Sequence, residues 1–302
     1  MATKRLITNN EFLRKLTKGE YKEIIEYASQ RENGLDVQIR DNYLNIYYHG
    51  GNLLKISPRG YHFDEFYFHR DAKERRKTHL IASNRPEDKE LVASYQRRRD
   101  EMFSILRNEG MAAYCTKMKG IMDEWEEDLH TIDISHDEKY EQQLTSMNNR
   151  GETDYTVIDL EYAVSRNSSF CYKGKLKKSV PRFDIIAVDK TGQLVVIELK
   201  TGLGAIKNRS GIRAHMYCFD HTIGQDHKGD FVTEMYDLLE QKKALGLIDK
   251  NVHIDKDKEP QFLFAFSEKK PGENLYEDFV KACRAIKYDN KIFYLDSEHK
   301  LQ

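Results

Sequence analysis

The segment Pro181–Lys200, PRFDIIAVDKTGQLVVIELK, constrains the fold of this chain more than any other. Two short runs rich in apolar and β-branched residues flank Asp189-Lys190-Thr191-Gly192, so the segment reads as a β-hairpin. The turn residues suit a type I turn with glycine in the left-handed position, giving a three-residue loop and a G1 bulge. If Asp189 then faces Gln193, Asp184 falls opposite Glu198. Side chains alternate along a strand, so Glu198 and Lys200 share one face. Asp184 joins them there, with the Cβ atoms of the two acids about 5 Å apart. Ile185, Ala187, Ile197 and Leu199 take the opposite face, toward the core. A slip of one residue would scatter the cluster.

Two carboxylates and a lysine gathered in this way suggest a chemistry. Hard cations such as Mg²⁺ or Mn²⁺ prefer oxygen ligands, and Mg²⁺ commonly keeps several waters while using one or two protein carboxylates. Asp184 and Glu198 are the candidate metal ligands, with the backbone oxygen of Leu199 beside them. A metal and Lys200 together lower the cost of charge on an attacking water and on phosphoryl oxygens. Lys200 either orients that water or acts as its base. The competing reading is a plain hairpin with solvent-facing charges.

In these residues the chain resembles the PD-(D/E)xK nucleases, the restriction-endonuclease-like superfamily. The resemblance implies a core of a helix, a three-strand meander, a helix and a further strand. The second strand then carries Asp and the third Asp/Glu-x-Lys. Asp184 matches the first position, and Glu198 with Lys200 matches the pair. Pro181 lies three positions before Asp184 instead of next to it. The resemblance covers about Asp137–Leu295 and implies metal-dependent hydrolysis of DNA, with endonucleolytic cleavage the expected mode. Two other readings stay open: a nucleic-acid-binding or protein-interaction module without turnover, and an RNA-processing nuclease.

The order of elements along the chain agrees with that core. Asp137–Met147 reads as a short polar helix with Ser135 as its N-cap, and Tyr155–Val164 as the first strand. Alternation on that strand puts Asp159 and Glu161 on one face. Metal-site members of the superfamily often add an acid from the first helix or a nearby strand. Glu161 is the expected one here, with Glu138 and Glu141 as substitutes. Beyond Lys200, Gly202 and Gly204 suggest a turn before a helix starting near Ser210. Many members place a Gln-x-x-x-Tyr pair on this helix, and His215 to Phe219 has the same polar-then-aromatic spacing with both letters changed. Lys207, Arg209, Arg213 and His215 are candidate phosphate contacts, as are Lys173 and Lys175 in the run KGKLKK. Phe231–Leu245 and Asn274–Ile286 read as amphipathic helices, and Phe262–Phe266 and Lys291–Leu295 as strands.

The first half has its own organisation. Asn10–Gln30 shows helical apolar spacing, with Gly19 as a weak point. Leu35–Phe68 reads as a β-meander with turns at Asp41-Asn42, Gly50-Gly51 and Pro58-Arg59-Gly60. Tyr43, Asn45 and Tyr47 alternate with Leu44 and Ile46, which suits a sheet exposed on one face. Glu87–Leu129 is expected to be helical, with interruptions at Gly110 and Gly120. Its stripe from Met111 to Trp125 docks on the meander or the second half, or serves as a partner or dimer face.

Composition bounds what remains. With 49 Lys plus Arg against 50 Asp plus Glu, nucleic-acid binding has to come from local patches. The four cysteines are dispersed, without zinc spacing, and suit reduced thiols of a cytoplasmic protein. No apolar run is long enough to span a bilayer, so no membrane partner is expected. The expected architecture is therefore α/β. A mixed-sheet restriction-endonuclease-like core occupies residues 135–302, and an N-terminal α+β module containing a β-meander occupies residues 1–134. That module would select the substrate or bind a partner protein, and a homodimer is a further alternative.

Overall fold

The structure is a computed structural model. It describes residues 5–63, 89–129, 142–147, 154–164, 170–172, 175–177, 182–201, 212–224, 228–267, 275–285, 292–295 and 300–301. The first helical stretch is divided at Gly19 into α1 (Asn10–Lys18) and α2 (Lys22–Ser29). Asn9 caps α1 through its side chain, which accepts from the Phe12 amide at 3.0 Å. A Cβ at position 19 would lie 2.8 Å from the Lys15 Cα, so only glycine lets the chain turn that tightly after α1. Phe12, Leu16, Ile24, Ile25 and Ala28 carry the two helices into the core.

A four-stranded antiparallel meander follows: β1 (Asp36–Arg40), β2 (Tyr43–Tyr48), β3 (Gly51–Ser57) and β4 (Gly60–His62). Tyr48 pairs with Gly51, so His49 and Gly50 form the turn, both at positive φ as a type I′ turn requires. This turn lies one residue earlier than the Gly50-Gly51 signal suggests. Leu44 and Ile46 are buried on β2, while Tyr43, Asn45 and Tyr47 are half-buried. On β1 both faces are buried, the polar residues Asp36, Gln38 and Arg40 included. Helices α3 (Lys89–Asn108) and α4 (Met111–Leu129) meet at Gly110, whose φ is +90°. Helix α4 runs unbroken through Gly120. The expected docking of its stripe on the meander is seen in Tyr114, whose hydroxyl donates to the Leu53 carbonyl at 2.8 Å.

The second half is built on a five-stranded mixed sheet. Its strands are β5 (Tyr155–Ala163), β8 (Arg182–Asp189), β9 (Leu194–Thr201), β10 (Gln261–Ser267) and β11 (Ile292–Tyr294), in the order β11-β10-β9-β8-β5. Strands β5, β8 and β9 are antiparallel neighbours, whereas β10 runs parallel to both β9 and β11. A separate ribbon pairs β6 (Phe170–Tyr172) with β7 (Lys175–Lys177). A short helix α5 spans 142–147 before β5. Helices α6 (Ile212–Asp220) and α7 (Lys228–Ala244) connect β9 to β10, and α8 (Leu275–Ala285) connects β10 to β11. The fold is thus α/β, with mixed antiparallel and parallel pairing and flanking helices.

Both sheet faces are buried, as near-continuous apolar strands require. Ile185, Ala187, Ile197 and Leu199 pack with Val195, Leu263 and Ala265 on one side, the face the alternation assigns them. On the other side Ile186, Val196, Phe262, Phe264 and Phe266 join α7, α8 and the whole core of the first half in one apolar cluster. A buried polar seam crosses that contact. Arg40 Nη1 lies 2.7 Å from Asp159 Oδ1 on β5, and Arg5 Nε lies 3.3 Å from Asp159 Oδ2. Arg40 also donates to the Leu160 carbonyl, and Arg5 to the Glu161 carbonyl. Lys242 of α7 donates to Gln38 at 2.9 Å, and Gln38 and Ser146 donate to Asp36. No helix among the described residues is long and apolar enough to cross a membrane.

Candidate active site

The turn between β8 and β9 sets the site. The Asp189 amide donates to the Gln193 carbonyl at 3.0 Å, and the Gly192 amide to the Asp189 carbonyl at 3.0 Å. Gly192 has φ +84°, as the turn residues foretold. Asp189 Oδ1 accepts from the Thr191 amide, the Thr191 hydroxyl and the Gln193 amide, and so fastens the loop to itself. The ladder then runs Val188 with Leu194, Ala187 with Val195, Ile186 with Val196 and Ile185 with Ile197. One further step puts Asp184 level with Glu198, in the register inferred from the turn.

At that step the backbone ladder stops and a side chain takes over. Asp184 Oδ2 accepts from the Leu199 amide at 2.9 Å. Leu199 therefore enters the site through its N–H, while its carbonyl is the group expected to face a metal. Glu198 and Lys200 are 3 % exposed and Asp184 is 8 % exposed. On the parallel side Glu198 pairs with Phe264 and Lys200 with Phe266 of β10, both fully buried. Glu198 Oε1 accepts from Lys200 Nζ at 2.8 Å and lies 2.8 Å from His215 Nδ1. Glu198 Oε2 is buried and has no hydrogen-bond partner among the described residues. Burial pushes the Glu198 pKa up, but the Lys200 charge and the His215 contact outweigh it and hold the carboxyl below its ordinary value.

His215 is delivered by packing. On α6, Ile212, Ala214 and Phe219 are buried. The Phe219 ring stacks on Phe262 at 5.2 Å and meets Phe183 edge-on at 6.4 Å. His215 lies one turn before Phe219 and so shares its sheet-facing side. The polar-then-aromatic spacing read on this helix thus has a physical meaning: the aromatic anchors the helix and the polar residue reaches the acid. Arg213, Tyr217 and His221 recur every four residues along another face, with the Tyr217 and His221 rings stacked at 3.8 Å. Arg213 and His221 are exposed.

The first strand departs from plain alternation. A bulge lies between Val157 and Asp159, after which Leu160 pairs with Ile185 and Tyr162 with Phe183. Glu161 is therefore level with Asp184, yet it has φ +55°, a left-handed conformation uncommon for a residue with a side chain. Its carboxylate is held by Arg182 at 2.8 Å and by Gln142 at 3.2 Å. Asp159, expected beside Glu161, is instead fully buried against Arg5 and Arg40. The bulge precedes both acids; it is the left-handed backbone of Glu161 that breaks the two-residue period between them.

The structure brings Glu198, Lys200 and His215 into contact, and the hairpin register sets Asp184 level with Glu198. Lys173, Lys207, Arg209, Glu138 and Glu141 lie outside the described residues, and Lys175 is described only as backbone of β7. No group of three or more His, Cys, Asp or Glu side chains placed to hold a metal occurs among the described residues. Sequence reasoning missed the bond from His215 to Glu198 and the two-arginine hold on Asp159. The first had a signal in the apolar face of α6; the second, spanning more than a hundred residues, had none. Comparison of the chain with protein families, with curated proteins and with solved structures returns no match.

Proposed function

We propose that the chain is a divalent-metal-dependent nuclease that hydrolyses phosphodiester bonds of DNA, cutting internally. The observation that carries this reading is Glu198. It is a buried carboxylate, level with Asp184, with one oxygen bound by Lys200 and the other without a hydrogen-bond partner among the described residues. A buried acceptor left unpaired is costly, and a cation is one group that would satisfy it. Two carboxylates suffice for Mg²⁺ or Mn²⁺, which completes its shell with water. Asp184 and Glu198 would hold the ion, with the Leu199 carbonyl beside them. When bound, it supplies polarisation of the phosphoryl oxygens and a more acidic water.

The chain's own residues account for the rest. Hydrolysis forms one P–O bond from water and breaks the bond to the leaving oxygen, which takes up a proton. Lys200, as donor to Glu198, is an orienting cation that offsets charge growing on the phosphoryl oxygens. Arg213, exposed on α6, is suited to a backbone phosphate, a contact that carries affinity but no sequence preference. Phe264 and Phe266, both fully buried, stand beside Glu198 and Lys200 on β10. The restriction-endonuclease-like reading is supported by element order, since a helix (142–147), a meander (β5, β8, β9), helical segments and a parallel strand (β10) follow one another as the resemblance implies.

The test is cleavage of circular and linear DNA by the full chain with Mg²⁺ or Mn²⁺, against folded Asp184→Asn. The expected outcome is nicked or linearised circles, reduced about 10²-fold or more in the variant. Equal cleavage by both proteins would overturn the site. One observation favours a second reading, a nuclease-like module without turnover: the Lys200 and Glu198 side chains are only 4 % and 3 % exposed. Salt-dependent DNA binding without metal-dependent products is its signature. Competition with a matched RNA separates the DNA reading from an RNA-processing one.

A further inference from the structure

Glu198 uses its two oxygens unequally. Oε1 takes both Lys200 Nζ and His215 Nδ1 at 2.8 Å, while Oε2 takes no hydrogen bond among the described residues. The terminal torsion of a glutamate is broad and nearly two-fold, so nothing in the side chain itself keeps the two oxygens apart. Lys200 is two residues along the same strand and carries its donor on a flexible four-carbon stem, which can follow the carboxylate as it turns. His215 comes from a different element. Helix α6 is seated by Ile212, Ala214 and the stack of Phe219 on Phe262, so the imidazole approaches Glu198 from a fixed direction. A carboxylate only accepts, so the 2.8 Å contact places the hydrogen on Nδ1.

The geometry points to His215 as a positioning residue: its Nδ1–H pins Glu198 Oε1 and thereby presents Oε2, the unpaired oxygen, as the single ligand atom that Glu198 gives to a divalent cation. This rests on the metal-dependent reading above and deepens it. It also moves His215 from the phosphate-contacting role expected of it to the support of a ligand. Partners that orient a ligating side chain typically matter about 10–100-fold in metal affinity.

The experiment is Mn²⁺ titration of the full-length protein, read by loss of the free-ion electron paramagnetic resonance signal, with no nucleic acid present. His215→Asn keeps an N–H donor at the Nδ1 position, whereas His215→Leu keeps similar bulk without a donor. Thermal unfolding checks that both are folded. If the leucine variant does not fold, His215→Ala makes the same comparison. The expected result is Mn²⁺ affinity weakened about 10–100-fold in the leucine variant and held within about threefold of wild type in the asparagine variant. Binding of metal-free protein to DNA is expected to be the same in all three.

Wild-type affinity in the leucine variant would overturn the positioning role while leaving the metal site standing. Equal weakening in both variants would also overturn it, because ring shape and not the donor would then matter. DNA binding lost in both variants with Mn²⁺ affinity intact would return His215 to the phosphates. No Mn²⁺ binding by wild type would overturn the metal reading itself, an outcome distinct from the others.

Discussion

Asp159→Asn tests how the two halves of the chain are held together. Asp159 is 0 % exposed and stands between Arg40 at 2.7 Å and Arg5 at 3.3 Å, both themselves nearly buried. The asparagine keeps the shape and one acceptor but removes the carboxylate that lies against both guanidiniums. Breaking a buried pair by neutralising one partner costs about 3–5 kcal/mol, because the remaining charge stays desolvated. Unfolding entropy of about 2.1 cal/mol/K per residue, taken over the chain, is about 0.6 kcal/mol/K, so the melting temperature should fall by about 5–8 °C. Urea denaturation and calorimetry of wild type, Asp159→Asn, Arg40→Met and the double variant read it out. The double variant should be destabilised by at least about 1 kcal/mol less than the two single effects added together, since the partners are in contact. A loss under about 1 kcal/mol in Asp159→Asn, the size of an exposed ion pair, would refute the buried seam.

Two further outcomes follow from single contacts. Glu234 accepts from the Arg5 amide and the Tyr162 hydroxyl, and burial, only partly offset by these hydrogen bonds, pushes its pKa above the ordinary value. A raised carboxyl means that the folded state binds the proton more tightly, so its charging costs stability as pH rises from about 4.5 through the folded pKa. Glu234→Gln should therefore gain on wild type across that window and show a constant difference above it, as measured by urea denaturation from pH 4 to 8; a difference independent of pH would refute this. Gly192→Ala should cost about 1–3 kcal/mol, since φ is +84° and the new Cβ would lie 2.9 Å from the Asp255 amide and the His253 ring. A denaturation midpoint unchanged from wild type would show that the turn tolerates a side chain.

What could be read before folding was what is encoded locally. Asp189, Thr191 and Gly192 make their own turn, and a turn determines the pairing of every residue that follows it. Hence the register that levels Asp184 with Glu198 was legible from twenty residues, whereas the face those acids share turned out to be a second apolar face, with Ile186 and Val196 buried beside them. The break at Gly110 and the helix stripe resting on the meander were legible for the same reason, because glycine and helical periodicity act over a few residues.

The rest was decided by tertiary contacts. Asp159 and Glu161 look equivalent on an alternating strand, but the left-handed backbone at Glu161 breaks the alternation, and one acid meets a pair of arginines while the other meets Arg182 and Gln142. The polar residues of β1 would suit a solvent face, and they are buried because the second half supplies Asp159, Lys242 and Ser146 as partners. His215 reaches Glu198 only because Phe219 finds Phe262 on a strand more than forty residues further along the chain. The sequence by itself determined the local register that sets two carboxylates level on neighbouring strands. Which groups surround those carboxylates was settled by packing between distant segments, since burial makes a charge seek whatever partner the fold brings within reach.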